Sequence, residues 1–324
     1  MADDIQTQLD KYLTDAHSIE EQALAQLRSA PEIAGDPELA RVFSEHLTET
    51  EEQERLVRQR LEARDGGPSR IKDAVMAAGG KGFVLFAKSQ PDTPGKLVAH
   101  AYSYEHLELG AYELLLRVAR RAGDQETERV AGRIAGEEQS MAERLAANFD
   151  RAVEASLQEQ APPDMEKQLV KYLADAHAIE QQATQLLERG PKIAGDPELA
   201  RLYEEHRRET KEHSRLIEER LEAHDAEPSS IKDAAMRLGA LNWGTFFQAQ
   251  PDTPGKLACF AFAFEHLEIG GYEQLKRVAD RAGDTDTSSV VTRILGEERE
   301  AARKIAGAFD RAAEASLEAV GATA

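Results

Sequence analysis

The chain repeats itself: residues 11–157 align with residues 171–317 at a constant offset of 160, without insertion or deletion. Of the 147 aligned positions 83 are identical, including Tyr12, Asp15 and His17, which recur as Tyr172, Asp175 and His177. A period of this length exceeds the roughly 20 to 50 residues of solenoid repeats and matches a whole domain. We therefore predict two copies of one domain, residues 1–157 and 165–324, joined by a linker at residues 158–164.

Composition argues against several classes of function. The 324 residues include 60 acidic and 40 basic side chains, giving a formal net charge of −20. Nucleic acids and anionic lipid surfaces carry the same sign, so we expect neither as a partner. The single cysteine, Cys259, cannot form an internal disulfide, and the N-terminus has no basic, apolar leader. These features predict a soluble cytoplasmic protein without a membrane-spanning segment.

Each copy has the pattern of four long amphipathic helices. In the first copy, apolar residues recur at three- and four-residue spacing in four stretches, at about residues 5–29, 36–63, 92–122 and 124–157. Pro31 is expected to end the first helix, and Asp36-Pro37 supplies an N-cap followed by proline at the first position of the second. Helices of this number and length are typical of a four-helix bundle.

The lengths of the connections predict how the helices are ordered. Only a few residues separate helix 1 from helix 2 and helix 3 from helix 4, which predicts two antiparallel hairpins. Residues 65–91, between helices 2 and 3, are long enough to run back along the bundle. The predicted fold class is therefore all-α, with two tandem ferritin-like four-helix bundles, each with one long crossover. We expect the two copies to pack as an internal pseudo-dimer.

Polar residues also fall on the apolar faces of these helices, where a buried carboxylate requires a partner. In helix 2 the inward stripe passes through His46, Glu49 or Thr50, and Gln53. Over all four helices, the side chains predicted to point inward include Glu20, His46, Glu49, Glu105, Glu108, Tyr112 and either Glu137 or Glu138. The same residues recur in the second copy as Glu180, His206, Glu209, Glu265, Glu268, Tyr272, Glu297 and Glu298.

Positions predicted to face outward differ between the copies, which sets them apart from the inward acids. Glu51, Glu54 and Arg58 of the first copy are replaced by Lys211, Ser214 and Glu218. A solvated charge on the surface is free to change in this way. The unchanged acids are therefore expected to share a function inside each bundle.

Electrostatics predicts what such a cluster does. Two carboxylates about 4 Å apart repel by roughly 4 kcal/mol at an effective dielectric constant near 20, and burial adds a further penalty. The acids must take up protons, admit water or hold cations. Carboxylates and imidazole without thiolate favour iron or manganese over structural zinc. We predict that each bundle binds two metal ions. The predicted ligands are Glu20, His46, Glu49, Glu105, Glu108 and Glu138 in the first copy and Glu180, His206, Glu209, Glu265, Glu268 and Glu298 in the second.

Four elements of the sequence resemble the YciE/YciF family of ferritin-like proteins, over nearly all of both copies. They are Asp15-Ala16-His17-x-x-Glu20-x-Gln22, His46-x-x-Glu49-Thr50, Glu105-His106-x-Glu108-x-x-x-Tyr112 and Glu137-Glu138. The resemblance implies a four-helix, stress-associated protein of a family whose members are commonly labelled ferroxidases. It leads to the expectation that the protein oxidises Fe²⁺ with dioxygen or peroxide, with Tyr112 and Tyr272 as catalytic side chains beside the metal ligands.

Two other functions remain open at this level. Helix 4 has Met141 where a Glu-x-x-His motif would place histidine after Glu138, so the bundle could be a structural or interaction protein with a degenerate metal site. An oxygenase acting on an organic substrate would need an apolar pocket beside the metals, for which residues 79–90 are candidates. Ligand type does not separate iron from manganese.

Overall fold

The computed structural model describes residues 4–64, 67, 93–159, 164–228 and 252–322. The chain divides into two compact units, Met1–Ala161 with Val320–Ala324, and Pro162–Ala319. The described residues form helices connected by short turns, in agreement with the predicted all-α fold of two tandem bundles. Within these ranges, no helix combines the length and the hydropathy that a membrane span requires.

In the described parts of the chain, each unit has four long helices and one or two short ones. Those of the first unit are α1 (Ile5–Leu27), α2 (Ala30–Ile33), α3 (Pro37–Glu62), α4 (Thr93–Ala122), α5 (Gln125–Ala146) and α6 (Phe149–Gln158). Those of the second unit are α7 (Met165–Ile193), α8 (Pro197–Ala223), α9 (Thr253–Ala282), α10 (Thr285–Gly307) and α11 (Phe309–Ala319). The first helix ends at Leu27, slightly before the predicted residue 29. Pro31 lies in the first turn of α2, where its missing N–H costs no hydrogen bond.

Contacts at one end of the first unit establish the directions of its helices. Gln6 near the start of α1 donates to the carbonyl of Ala122 at the end of α4 (2.9 Å), and Arg64 just after α3 donates to the carbonyl of Gln6 (3.3 Å). Farther along, the Tyr104 hydroxyl donates to the carbonyl of Ile19. Helices α3 and α4 therefore both run antiparallel to α1 and parallel to each other, the directions that a crossover connection requires. The predicted crossover itself, residues 65–91, lies outside the described residues.

The turn before α3 depends on a glycine in the left-handed conformation. Gly35 has φ +69°, and the Asp36 carboxylate then accepts hydrogen bonds from the backbone of Glu38 and Leu39 (2.8 and 3.1 Å). A Cβ added to Gly35 would lie 2.6 Å from Cγ of Pro94 at the start of α4. The N-cap predicted from Asp36-Pro37 is thus confirmed, and the glycine lets the first hairpin close against α4.

We expect Gly35→Ala to lower the free energy of unfolding of the first unit by about 2 kcal/mol, because alanine disfavours positive φ and its methyl group meets Pro94. Gly136→Ala is the control. A Cβ at this α5 position would meet no atom within 4 Å, and alanine there is expected to be neutral or to stabilise by about 0.5 to 1 kcal/mol. Urea denaturation measures both; equal effects of the two substitutions would contradict the conformation assigned to Gly35.

The predicted single helix over residues 124–157 is wrong, because the structure breaks it into α5 and α6. Asn148 leaves the helical conformation (φ −108°, ψ 8°), and the buried ring of Phe149 then packs edge-on against Tyr102 with ring centroids 5.3 Å apart. Farther along α6, the Ser156 hydroxyl accepts a hydrogen bond from the backbone N–H of Gly95 (2.8 Å). The break redirects the chain so that α6 closes the start of α4.

Candidate metal centre

Three helices of the first unit bring four ligand side chains together in the interior. His46 comes from α3, Glu105 and Glu108 from α4, and Glu138 from α5, and one ligand atom from each lies within 4.8 Å of all the others. All four residues are at most 3 % exposed. The amphipathic periodicity that buries the apolar residues of each helix also directs these polar ones inward. The structure thus joins four of the predicted ligands in one buried group.

Ligand atoms of this group face one another at short distances, and two of its carboxylates have no hydrogen-bond partner among the described residues. His46 Nε2 lies 3.1 Å from Glu105 Oε2 and 3.7 Å from Glu138 Oε2. Both carboxylate oxygens of Glu108, and both of Glu138, have no hydrogen-bond partner among the described residues. Metal bonds of about 2.1 Å place neighbouring ligand atoms about 3 Å apart, so these separations suit ligands of one cation.

Glu20 of α1 lies next to the group and is completely buried. The Tyr112 hydroxyl donates to Glu20 Oε1, while Glu20 Oε2 has no partner among the described residues. The second unit repeats the arrangement, because the Tyr272 hydroxyl donates to Glu180 Oε1. Each predicted catalytic tyrosine therefore positions one oxygen of a buried glutamate and leaves the other oxygen facing the interior.

Burial and mutual repulsion shift the acids of the first unit towards their protonated forms. Burial raises the pKa of Glu20 to about 8, against the opposing effect of the hydrogen bond from Tyr112. Burial also raises the pKa values of Glu108 and Glu138 well above the ordinary range, and neighbouring carboxylates add to both shifts. Burial lowers the pKa of His46, but Glu105 and Glu49 outweigh it and raise the value to about 9. The group therefore takes up protons when no other positive charge is present.

Glu49, a predicted ligand, lies at the rim of the centre with its side chain 36 % exposed. Its carboxylate accepts hydrogen bonds from Arg144 of α5 and lies 3.0 Å from Nδ1 of His46. The expectation that Glu49 faces the interior is corrected, because the arginine on a neighbouring helix holds it outward. Of the two stripe positions left open in α3, Thr50 is the buried one. Glu49 instead orients the imidazole of His46 through Nδ1, the ring nitrogen that points away from the group. In the second unit Glu209 makes the same contact with His206 Nδ1, at 3.1 Å.

The choice between the two adjacent acids of helix α5 is settled by burial. Glu138 is fully buried in the centre, whereas the Glu137 side chain is 31 % exposed and pairs with Arg133 at 2.8 Å. Gln53 also donates to Glu137 Oε2 (3.2 Å). Glu138 is therefore the acid that belongs to the buried group of possible metal ligands.

The second unit contains the equivalent group and adds a histidine. His206, Glu265, Glu268 and Glu298 again place ligand atoms within 4.8 Å of one another. His213, which sequence reasoning did not single out, is fully buried and forms a further group with Glu180 and Glu298. The signal for it was present in the sequence, because His213 occupies the inward stripe position of Gln53 in the first copy.

The extra histidine changes the electrostatics of Glu298 relative to Glu138. Burial raises the pKa of Glu298, but the close contact with the His213 imidazole (2.7 Å) and the charge of His206 outweigh it and bring the pKa below the ordinary value. Burial also raises the pKa of Glu180, to about 8, and that of Glu268 well above its ordinary range. The two centres thus share a design and differ in the number of imidazoles.

One position that sequence reasoning placed on the outside is inside. Glu54 is buried, and its Oε1 lies 3.0 Å from Nε2 of the buried His17; together with Glu21 they form a separate group of possible ligands. In the second unit Ser214 replaces Glu54, and His177 pairs instead with Glu218. The partner of the buried histidine thus changes between the copies from the buried Glu54 to Glu218, whose side chain is 45 % exposed.

Fold and site together define an all-helical protein of two tandem bundles, each with a buried group of acids and histidine compatible with metal binding. The chain belongs to the family described as a domain of unknown function, DUF892, which matches residues 4–158 and again residues 164–318. The two matches follow the internal repeat. No solved structure matches the chain.

Proposed function

We propose that each unit is a ferritin-like dinuclear metal centre of the YciE/YciF type, which binds iron and oxidises Fe²⁺ with dioxygen or peroxide in a cytoplasmic stress response. Manganese is the alternative metal. The observation that carries this proposal is the buried carboxylate of Glu108, with Glu268 in the second unit, whose oxygens have no partner among the described residues. Such a carboxylate is costly unless protons or cations neutralise it, and its neighbours supply a set of oxygen and imidazole ligands.

The residues present fit a pair of hard or borderline cations. In the first unit His46, Glu105, Glu108 and Glu138 would hold the metals, with Glu20 alongside them. Bound iron supplies the one-electron redox chemistry that no amino-acid side chain here provides. The helices contribute a buried interior in which these ligands are already oriented, and Glu49, which accepts hydrogen bonds from Arg144, contacts the imidazole of His46 from the rim.

In this proposal Tyr112 and Tyr272 position a glutamate beside each metal centre. Burial and the neighbouring Glu20 raise the pKa of Tyr112 well above its ordinary range, so its hydroxyl keeps its proton and donates to Glu20. Tyr272 has the same relation to Glu180. We assign both tyrosines the role of fixing that glutamate beside the metals, close enough to take part in electron transfer.

A small cavity beside the first centre has room for a small oxidant. It has a volume of about 20 Å³ and is lined by Glu105 and by residues of α1, α3 and α4, among them Phe43, Leu97 and His100. A volume of this size is that of about one water molecule. Dioxygen or peroxide fits such a space. Residues 79–90, the candidates for an apolar pocket that would hold an organic substrate, lie outside the described residues.

The test is the metal content of anaerobically iron-loaded protein, measured by inductively coupled plasma mass spectrometry. Wild-type protein is expected to bind up to about four iron ions per chain at saturating iron, and Glu105→Ala with Glu265→Ala to lose most of them. Wild-type Tm is expected to rise on loading by several degrees, because a ligand at 100 times its Kd stabilises by about 2.7 kcal/mol. Oxygen consumption on adding Fe²⁺ then measures the proposed oxidation.

The competing function is a non-catalytic structural or interaction bundle with a degenerate site. Gln53, at the position where the second unit has a histidine, is the observation that favours it for the first unit. No stoichiometric iron or manganese, together with an unchanged Tm on adding either metal, would establish this alternative and reject the enzyme.

A further inference from the structure

The two units differ at one buried position of the metal centre. Gln53 of α3 and His213 of α8 occupy equivalent positions in the repeat, and neither side chain is exposed. In the first unit the Gln53 amide nitrogen donates to Glu137 Oε2 (3.2 Å), and its amide oxygen has no partner among the described residues. The difference therefore lies inside the site.

His213 is oriented as a metal ligand. Its Nε2 lies 2.7 Å from Glu297 Oε2 at the rim, while its Nδ1 lies 2.7 Å from Glu298 Oε1 and 3.7 Å from Glu180 Oε1 in the interior. Nδ1 has no partner in hydrogen-bonding geometry within the described residues. A carboxylate that holds one imidazole nitrogen while the other nitrogen faces further ligands is the usual arrangement of metal-binding histidine.

Glu298 connects this histidine to the larger group. It is shared by the group of His206, Glu265 and Glu268 and by the group of Glu180 and His213. Its Oε1 faces His213 at 2.7 Å, whereas its Oε2 faces His206 at 3.6 Å. A carboxylate whose two oxygens face two different ligand sets is placed to bridge two cations.

Among its described residues, the first unit lacks the histidine of the second ligand set, because Gln53 stands at the position of His213. Glu138 corresponds to Glu298, but in the described part of that unit it belongs only to the group around His46. The other group there, His17 with Glu21 and Glu54, does not include Glu138. A neutral amide is a weaker donor than imidazole for iron or manganese, so Gln53 is a poor substitute for His213.

We propose that the two centres are unequal: the second unit holds a pair of cations bridged by Glu298, with His213 binding the second, whereas the first unit holds one ion tightly and a second one weakly. This inference rests on the proposed metal-binding function. The loss of one imidazole ligand is expected to weaken the second position of the first unit at least about tenfold. One chain therefore carries a complete and an incomplete version of the same centre.

The experiment isolates each centre within the full chain and exchanges the single residue. Glu298 is common to both ligand groups of the second unit and Glu138 is its counterpart, so Glu138→Ala disables the first unit and Glu298→Ala the second. The Glu138→Ala protein is made with and without His213→Gln, and the Glu298→Ala protein with and without Gln53→His. Each exchange introduces the residue that the other copy already carries, which favours folding. All proteins are loaded anaerobically with Fe²⁺ or with Mn²⁺ and passed through gel filtration in metal-free buffer before the metal content and Tm are measured.

Expected retention is about two ions in E138A and about one in E138A/H213Q, against about one in E298A and about two in E298A/Q53H. Electron paramagnetic resonance of the Mn²⁺ forms should show coupled ions only in the proteins that retain two. Equal retention by the two units, unaffected by either exchange, would overturn the inequality and leave the proposed function standing. Absence of bound metal from every protein, wild type included, would overturn both.

Discussion

Replacing Glu108 and Glu268 with glutamine is expected to stabilise the metal-free protein at neutral pH. The same substitutions are expected to reduce the metal content of the protein after it has been loaded with iron. Both residues are buried with no hydrogen-bond partner for either carboxylate oxygen among the described residues, and burial is the main cause of their raised pKa values. Glutamine keeps the shape of the side chain and removes the charge. A substitution that stabilises a fold while removing a ligand marks a residue kept for function.

The sign of the pH dependence follows from the direction of these shifts. The unfolded chain releases each proton near the ordinary glutamate value of 4.5, whereas the folded metal-free protein keeps it to higher pH. The wild-type protein therefore loses stability as the pH rises, by about 1.4 kcal/mol per pH unit for each such group, until the folded-state pKa is passed. The advantage of each glutamine variant should grow by about 2 to 3 kcal/mol from about pH 5 to about pH 7, about 5 to 10 °C in Tm.

Differential scanning calorimetry of metal-free protein over this pH range measures the effect. Glu51→Gln provides the control, because Glu51 is exposed on α3 and its counterpart in the second copy is already Lys211. Its unfolding should follow that of the wild type at every pH. Lower stability of E108Q/E268Q at all pH values would mean that the acids form a structural hydrogen-bond network, against the function proposed above.

Replacement of Phe149 by alanine is expected to cost the first unit about 3 to 5 kcal/mol, the usual range for a buried phenylalanine. The ring is 2 % exposed and packs edge-on against Tyr102, at the point where the chain turns from α5 into α6. Phe309 has the same relation to Phe262, with ring centroids 5.6 Å apart, so Phe309→Ala should affect the second unit equally. Chemical denaturation followed by circular dichroism should show the transition of the affected unit at lower denaturant.

Tyr102→Phe is the matched control for this prediction, because the second copy carries Phe262 at the same position. It keeps the aromatic contact and is expected to change stability by less than about 1 kcal/mol. A loss below about 1 kcal/mol for both alanine variants would show that α6 and α11 contribute little to the stability of their units.

Much of the fold and part of the site could be predicted from the sequence, because a helix fixes the direction of each side chain by its period of 3.6 residues. That period placed Glu20, His46, Glu105 and Glu108 in the interior, and the structure buries all four. The period did not decide which of two adjacent residues is buried when both lie at the edge of the inward face of a helix. Burial of Glu138 rather than Glu137 required the positions of the other helices.

The features that the sequence did not predict depend on partners from other helices. Arg144 of α5 donates hydrogen bonds that hold Glu49 outward, and His17 of α1 is the buried polar partner of Glu54. Periodicity within a single helix contains neither interaction. The break before Phe149 likewise follows from packing against Tyr102 of α4, and the second copy makes the same break without the asparagine.

The duplication has a genetic consequence. In a symmetric homodimer one codon specifies the same residue in both subunits, so a substitution at a buried site changes both subunits at once. Here Gln53 and His213 have separate codons, so the buried group of one copy can gain or lose a possible ligand while the group of the other copy stays unchanged. Fusion of the two copies thus allows this protein to evolve a division of labour that a symmetric dimer of a single-domain protein cannot reach.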